Sequence, residues 1–201
     1  EYDILQVEVA ASASPPTATT NGATGVTSNQ ATLNGTINAN GASTTVTFEY
    51  GLTNSYGTTR TADQSPVTGT TGTAVSYSPA GLTPGTTYHY RVVGQNSEGT
   101  TNGSDMTFTT DPLAPSATTV AASSVTSSGA TLNGTINANG APATVTFEYG
   151  LTTGYGSTVT ADQSPVSGTT NTSVSKAITG LTAGVTYHYR VVGQNAEGTT
   201  N

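Results

Sequence analysis

The chain repeats itself. When the sequence is shifted by 99 residues, residues 17–102 align with residues 116–201 without a gap, and 63 of the 86 aligned positions are identical. The segment Asn34–Asn38 (NGTIN), for example, returns as Asn133–Asn137. A period of this length is that of a whole small domain. The 201 residues are therefore predicted to form two domains of the same fold.

Within each copy apolar and polar residues alternate, which is typical of strands with one face buried. In the first copy the predicted inward residues are Leu33, Gly35 and Ile37; Val46, Phe48 and Tyr50; Val75 and Tyr77; Tyr88, Tyr90 and Val92; and Met106 and Phe108. Turn signals separate these runs at Asn40-Gly41, Thr83-Pro84-Gly85 and Asn102-Gly103. No window has a helical period. Short strands with turns at this spacing predict a β-sandwich.

One segment carries a family resemblance. Residues 81–92 (GLTPGTTYHYRV) resemble the corner between the fifth and sixth strands of fibronectin type III domains, and residues 92–99 resemble the following strand and turn. The resemblance implies that Tyr88 and Tyr187 are corner tyrosines, with a buried ring and a hydroxyl bonded to upstream backbone. Two features depart from the family: Ala183 replaces the corner proline, and the second strand lacks the usual tryptophan.

The predicted fold class is thus all-β, with two tandem fibronectin type III-like (immunoglobulin-like) sandwiches. We expect the first sandwich at residues 17–110 and the second at residues 116–201, with linkers at residues 12–16 and 111–115. Residues 1–11 precede both as a separate strand. Because the second copy stops at Asn201, the counterpart of Asn102, it is expected to lack its own last strand (G).

The N-terminal segment is a candidate for that strand. The 99-residue shift places Val7 on Met106 and Val9 on Phe108, and residues 5–9 (LQVEV) alternate apolar with polar. A groove without its last strand leaves buried backbone groups unpaired, at about 1–3 kcal/mol each. About seven residues join this segment to the first sandwich, which favours insertion into another molecule. Leu5, Val7 and Val9 are the predicted polymerisation residues.

Two functions follow as hypotheses. The chain is either the structural subunit of an extracellular head-to-tail filament, in which each N-terminal strand completes the second sandwich of a neighbouring copy, or a spacer or adhesive module from a longer tandem-repeat surface protein. In the second case residues 1–11 belong to an upstream domain. The first hypothesis is favoured because residues 1–11 differ in sequence from the last strand of the first copy.

Composition excludes several other classes. Only four basic residues, Arg60, Arg91, Lys176 and Arg190, stand against eleven acidic ones, so nucleic acid is not an expected partner. No apolar run is long enough to span a membrane. There is no cysteine, and hence no disulfide or thiol chemistry. No catalytic, cofactor or metal site is predicted.

Several individual residues are candidates for chemistry or modification. His89 and His188 are expected on the outer sheet surface, and Asp63 and Asp162 as turn caps rather than calcium ligands. Glu49 with Arg91, and Glu148 with Arg190, are expected cross-strand pairs. Asn34, Asn102 and Asn133 match the N-glycosylation motif, and the many threonines and serines are further candidate sites for glycans.

Overall fold

The computed structural model describes residues 12–201, and the regular secondary structure in that range is β-strand. The chain divides into two compact units, of which the first includes residues 30–80 and 87–108 and the second includes residues 109–201. Each unit contains most of one copy of the repeat as a β-sandwich. The predicted all-β architecture is therefore observed.

The first sandwich has two antiparallel sheets. Their strands are β1 (Thr17–Thr24), β2 (Thr32–Asn38), β3 (Thr45–Gly51), β4 (Thr58–Thr61), β5 (Gly72–Tyr77), β6 (Thr87–Asn96), β7 (Gly99–Asn102) and β8 (Met106–Thr109). One sheet has the order β1-β2-β5. The other has the order β4-β3-β6-β7, and β8 also pairs with β6. The edge beside β6 is thus formed by two successive strands.

The core of the first sandwich lies between these sheets. Leu33, Ile37, Val46, Phe48 and Val92 are fully buried, as their alternation predicts. Gly35 lies at a close approach of the two sheets, because a Cβ atom at this position would be 2.9 Å from Cβ of Val92. Gly134 and Val191 repeat this contact in the second sandwich, at 2.8 Å. A side chain at either glycine would push the two sheets apart.

The predicted turn at Asn102-Gly103 is wrong. The tight turn lies earlier, at Ser97 and Glu98, within the segment that the family resemblance assigned to the strand and turn, and Gly103 instead separates β7 from β8. Gly103 is buried, its backbone N–H donates to the carbonyl oxygen of Val92 at 2.8 Å, and a Cβ atom there would overlap Oγ1 of Thr20. Here glycine serves a close packing contact rather than a change of chain direction.

The second sandwich repeats this topology with one strand fewer among the described residues. Its strands are β9 (Ser116–Ser123), β10 (Gly129–Asn137), β11 (Thr144–Gly150), β12 (Ser157–Thr160), β13 (Thr172–Thr179), β14 (His188–Asn195) and β15 (Gly198–Thr200). The sheet orders are β13-β10-β9 and β12-β11-β14-β15. β15 corresponds to β7, so the beginning of the last strand is present, which the sequence analysis did not anticipate. Within residues 12–201 nothing corresponds to β8.

Candidate functional site

In the first sandwich β8 closes one end of the core. The ring of Phe108 stacks on Tyr88 with centroids 5.6 Å apart and meets Tyr90 edge-on at 5.8 Å. These three side chains are at most 8% exposed. The Tyr90 hydroxyl donates to the carbonyl oxygen of Asn21 on the opposite sheet at 2.6 Å. A single strand thus completes an aromatic cluster that joins the two sheets.

In the second sandwich the same cluster is open. Leu181, Tyr187 and Tyr189, which correspond to Leu82, Tyr88 and Tyr90, are only partly buried. Val185 beside them is 44% exposed and Val125 is 71% exposed. Apolar side chains that are exposed together are typical of a surface that receives a partner.

These residues line a groove with a cavity of about 350 Å³, which we call the G groove. It is lined by Ala122, Val125, Thr126, Ala130, Leu132, Tyr149, Ile178, Leu181, Thr182, Ala183, Gly184, Val185, Tyr187 and Tyr189. Since Tyr187 and Tyr189 are the counterparts of the rings that Phe108 contacts, the G groove lies where β8 lies in the first sandwich.

Some of the residues that line the G groove differ from their counterparts in the first copy. Eleven of its fourteen lining residues are identical to their counterparts 99 positions earlier. The other three, Ile178, Ala183 and Val185, replace Pro79, Pro84 and Thr86. Val185 exchanges a polar side chain for an apolar one at an exposed position, which favours an apolar partner.

The two sandwiches also differ in backbone pairing beside the G groove. β6 begins at Thr87, whereas β14 begins only at His188, two positions later in the repeat. The reason is that β8 pairs with β6 in the first sandwich, while β14 has no such neighbour among residues 12–201. Residues 186 and 187 therefore present backbone groups that an added strand can bind.

The predicted site residues are distributed as follows. Leu5, Val7 and Val9 lie outside the described residues. Tyr88 is buried, and the hydroxyl of Tyr187 accepts a hydrogen bond from the backbone N–H of Thr182 at 3.2 Å, five residues upstream. The ring of Tyr187 is only partly buried, and the corner role of Tyr88 and Tyr187 remains a prediction.

A second, polar site recurs on the outer face of both sandwiches. Nε of Arg91 donates to Oε2 of Glu49 at 2.7 Å, and the guanidinium lies 4.8 Å from the ring centroid of Tyr56. Arg190, Glu148 and Tyr155 repeat both distances. The two predicted cross-strand pairs are thus observed, and each includes a cation–π contact that the sequence analysis missed.

The other candidate residues form local contacts. Oδ1 of Asp162 accepts a hydrogen bond from Nζ of Lys176 at 2.6 Å. Among residues 12–201 there is no group of three or more His, Asp or Glu side chains that could hold a metal ion. No helix in that range is long and apolar enough to cross a membrane.

The three N-glycosylation motifs differ in accessibility. Nδ2 of Asn34 donates to the carbonyl oxygen of Gly22 at 2.9 Å, and Nδ2 of Asn133 donates to that of Ala121 at 2.9 Å. A glycan on either nitrogen would replace a donor that ties the first and second strands of its sandwich together. Asn102, in contrast, is exposed.

Burial raises the pKa of Tyr90 and of Tyr189 above the ordinary value of 10.0. In the unfolded chain these hydroxyls ionise near pH 10, whereas in the folded chain they hold their protons to higher pH. The resulting stability is present in full below pH 10 and is lost as the pH rises through the folded pKa values.

We therefore expect the urea midpoint of unfolding to be level from pH 7 to 9 and to fall above pH 10. Tyr90→Phe should cost about 1 kcal/mol at pH 8, because the bond to Asn21 is lost. The substitution should also make the fall in the urea midpoint above pH 10 smaller, since one titrating group is removed. An equal decline in both proteins would show that Tyr90 does not contribute to it.

Comparison with known proteins supports the fold. No protein-family model and no curated protein matched the chain. Among solved structures, the FN1-FN3 domains of chicken CNTN1 match with a TM-score of 0.50 at 14% identity, over 94% of this chain. This chain spans 64% of that structure.

Two further matches have lower scores. A two-domain fibronectin type III segment of chicken tenascin matches with a TM-score of 0.35 at 18% identity, over 90% of this chain and 92% of that one. The sensor domain of the anti-sigma factor RsgI4 from Pseudobacteroides cellulosolvens has a TM-score of 0.39 at 23% identity, over 50% of this chain and 98% of that one.

The strand order and the CNTN1 match define the class: the fold is all-β, with two tandem fibronectin type III-like sandwiches. The fold class predicted from the sequence is confirmed.

Proposed function

We propose that this protein is the structural, non-enzymatic subunit of an extracellular filament. Residues 1–11 of one copy insert as a strand into the G groove of another copy and complete its second sandwich. The N-terminal segment is the donor and the second sandwich the acceptor, so each subunit has one of each. Repetition of the contact gives a head-to-tail polymer.

The observation that carries the proposal is the G groove itself. The same aromatic residues that β8 buries in the first sandwich are partly exposed in the second, in an otherwise matching fold. An apolar groove beside the unpaired end of a strand is the arrangement that strand addition uses.

The sequence register supports residues 1–11 as the occupant. Val9 corresponds to Phe108, which is 8% exposed, and Val7 corresponds to Met106, which is partly buried. Glu8 corresponds to the exposed Thr107, so its charge would remain in water. Burial of Val9 contributes about 1.5–3 kcal/mol, partial burial of Val7 contributes less, and main-chain hydrogen bonds add to this.

Several properties support a place outside the cell. Charged residues are only 7% of the chain, and strand surfaces are rich in threonine. Sandwiches of this fold occur as spacers and adhesive modules of secreted and surface proteins. A filament subunit needs durable contacts with its own copies rather than a catalytic centre.

Size measurements on the intact chain test the proposal. We expect light scattering to report mass that grows with protein concentration, and electron microscopy to show unbranched fibres. A chain that remains monomeric at every concentration would contradict the filament and leave a spacer module as the function.

A further inference from the structure

In the first sandwich a polar contact lies next to the strand that closes the core. The Tyr56 hydroxyl donates to Oδ1 of Asp105 at 3.0 Å, and Nδ1 of His89 lies 2.9 Å from Oδ2 of the same carboxylate. Asp105 immediately precedes β8, three residues before Phe108. One end of β8 is thus held by two polar side chains.

The second sandwich contains counterparts of the tyrosine and the histidine that form this contact. Tyr155 and His188 correspond to Tyr56 and His89. No hydrogen bond links the Tyr155 hydroxyl or the His188 imidazole to another described residue, and His188 is exposed.

Tyr155 is nevertheless held in place. Its backbone φ is +58°, close to the +60° of Tyr56. Residues other than glycine rarely adopt a positive φ. Arg190 stacks over its ring at the distance at which Arg91 stacks over Tyr56. The second sandwich therefore has the same loop conformation that places Tyr56 beside Asp105, although no described residue there corresponds to Asp105.

We infer that Tyr155 and His188 form a polar clasp that fixes the register of the inserted strand by binding the side chain of Gln6. This inference rests on the proposed function, since Gln6 is the residue of the donor segment that corresponds to Asp105. The amide suits both partners: Oε1 accepts a hydrogen bond from the Tyr155 hydroxyl, and Nε2 donates to Nδ1 of His188.

The clasp gives the G groove a two-point specificity. It recognises a strand with an amide or carboxylate at one position and an apolar residue three positions later: Gln6 and Val9 in the donor, Asp105 and Phe108 in β8. Because side chains alternate between the faces of a strand, a slip by one residue would separate Gln6 from the clasp and turn Val9 out of the cavity.

Variants of the full chain test the clasp. Tyr155→Phe combined with His188→Ala should raise the critical concentration for assembly about tenfold. Gln6→Ala should do the same, and all three together should cause no further loss. The matched control is Tyr56→Phe with His89→Ala, which removes the equivalent contact in the first sandwich and should leave the critical concentration unchanged. Normal assembly of the Tyr155 and His188 variant would overturn the clasp while leaving the filament proposal intact.

A peptide experiment separates failure of the clasp from failure of the filament. A fluorescent peptide of residues 103–111, which carries Asp105 and Phe108, should bind the Val7→Asp, Val9→Asp chain, whose own donor is disabled. Tyr155→Phe with His188→Ala in that chain should weaken binding about tenfold. If the intact chain never assembles but this loss is seen, Tyr155 and His188 do recognise a strand that carries Asp105, while the filament proposal fails and with it the assignment to Gln6. Peptide binding that is unchanged by these substitutions, or an absence of peptide binding, would overturn the clasp.

Discussion

A chain extended after Asn201 by a copy of residues 103–111 is expected to remain monomeric. The copied segment would place the Phe108 sequence in the G groove of its own second sandwich, in the arrangement that buries Tyr88 and Tyr90 in the first. An intramolecular strand has a far higher effective concentration than one from another molecule. The donor of a second copy would therefore find no groove, and assembly should stop.

The same extension should stabilise the second sandwich by about 2–4 kcal/mol. Burial of one phenylalanine contributes about 1.5–3 kcal/mol and each new hydrogen bond about 1 kcal/mol, while ordering the added residues opposes both. Urea unfolding measures the gain, with the Val7→Asp, Val9→Asp variant as the monomeric background. An extension in which the copied Met106 and Phe108 are both aspartate is the control and should give no gain. Fibres from the extended chain would contradict this interpretation of the groove.

Val7→Asp combined with Val9→Asp is expected to abolish assembly at concentrations at least a hundredfold above those at which the intact chain forms fibres. Each substitution would bring an unpaired carboxylate into an apolar cavity, where burial of a charge without a partner is strongly unfavourable. Sedimentation of the assembled fraction measures the effect.

Glu8→Gln is the matched control for the valine variant. It changes charge between the two valines, at a position whose counterpart, Thr107, is exposed. Assembly should therefore be retained. Loss of assembly in Glu8→Gln, or fibres from the valine variant, would show that the segment does not dock in the assigned register.

Most of the fold could be predicted from the sequence. The alternation of apolar and polar residues is a local signal of a strand, and the 99-residue repeat is seen directly when the sequence is aligned with itself. The buried faces around Leu33, Phe48 and Tyr90 were predicted correctly, and so were the pairs of Glu49 with Arg91 and Glu148 with Arg190. Each of these follows from which residues share a strand face or lie opposite one another.

The features that sequence reasoning missed depend on contacts between distant residues. Gly103 resembles a turn residue, and only its approach to Thr20 on another strand shows why glycine is needed. Likewise, the positive φ of Tyr56 and Tyr155 has no signature in an otherwise ordinary loop sequence. The apolar change at Val185 is visible in the repeat alignment, but its meaning depends on the position of the groove.

The docking of residues 1–11 in the G groove can be tested by cross-linking, because the natural chain contains no cysteine. Gln6→Cys is combined with His188→Cys in one chain, or with His89→Cys, whose neighbourhood β8 already occupies in the first sandwich. After treatment with a short thiol-to-thiol cross-linker, the first protein should give a ladder of covalent oligomers on a denaturing gel and the second should stay a monomer. No ladder from the first protein at well over ten times the concentration at which the intact chain assembles, or equal ladders from both, would contradict head-to-tail strand insertion.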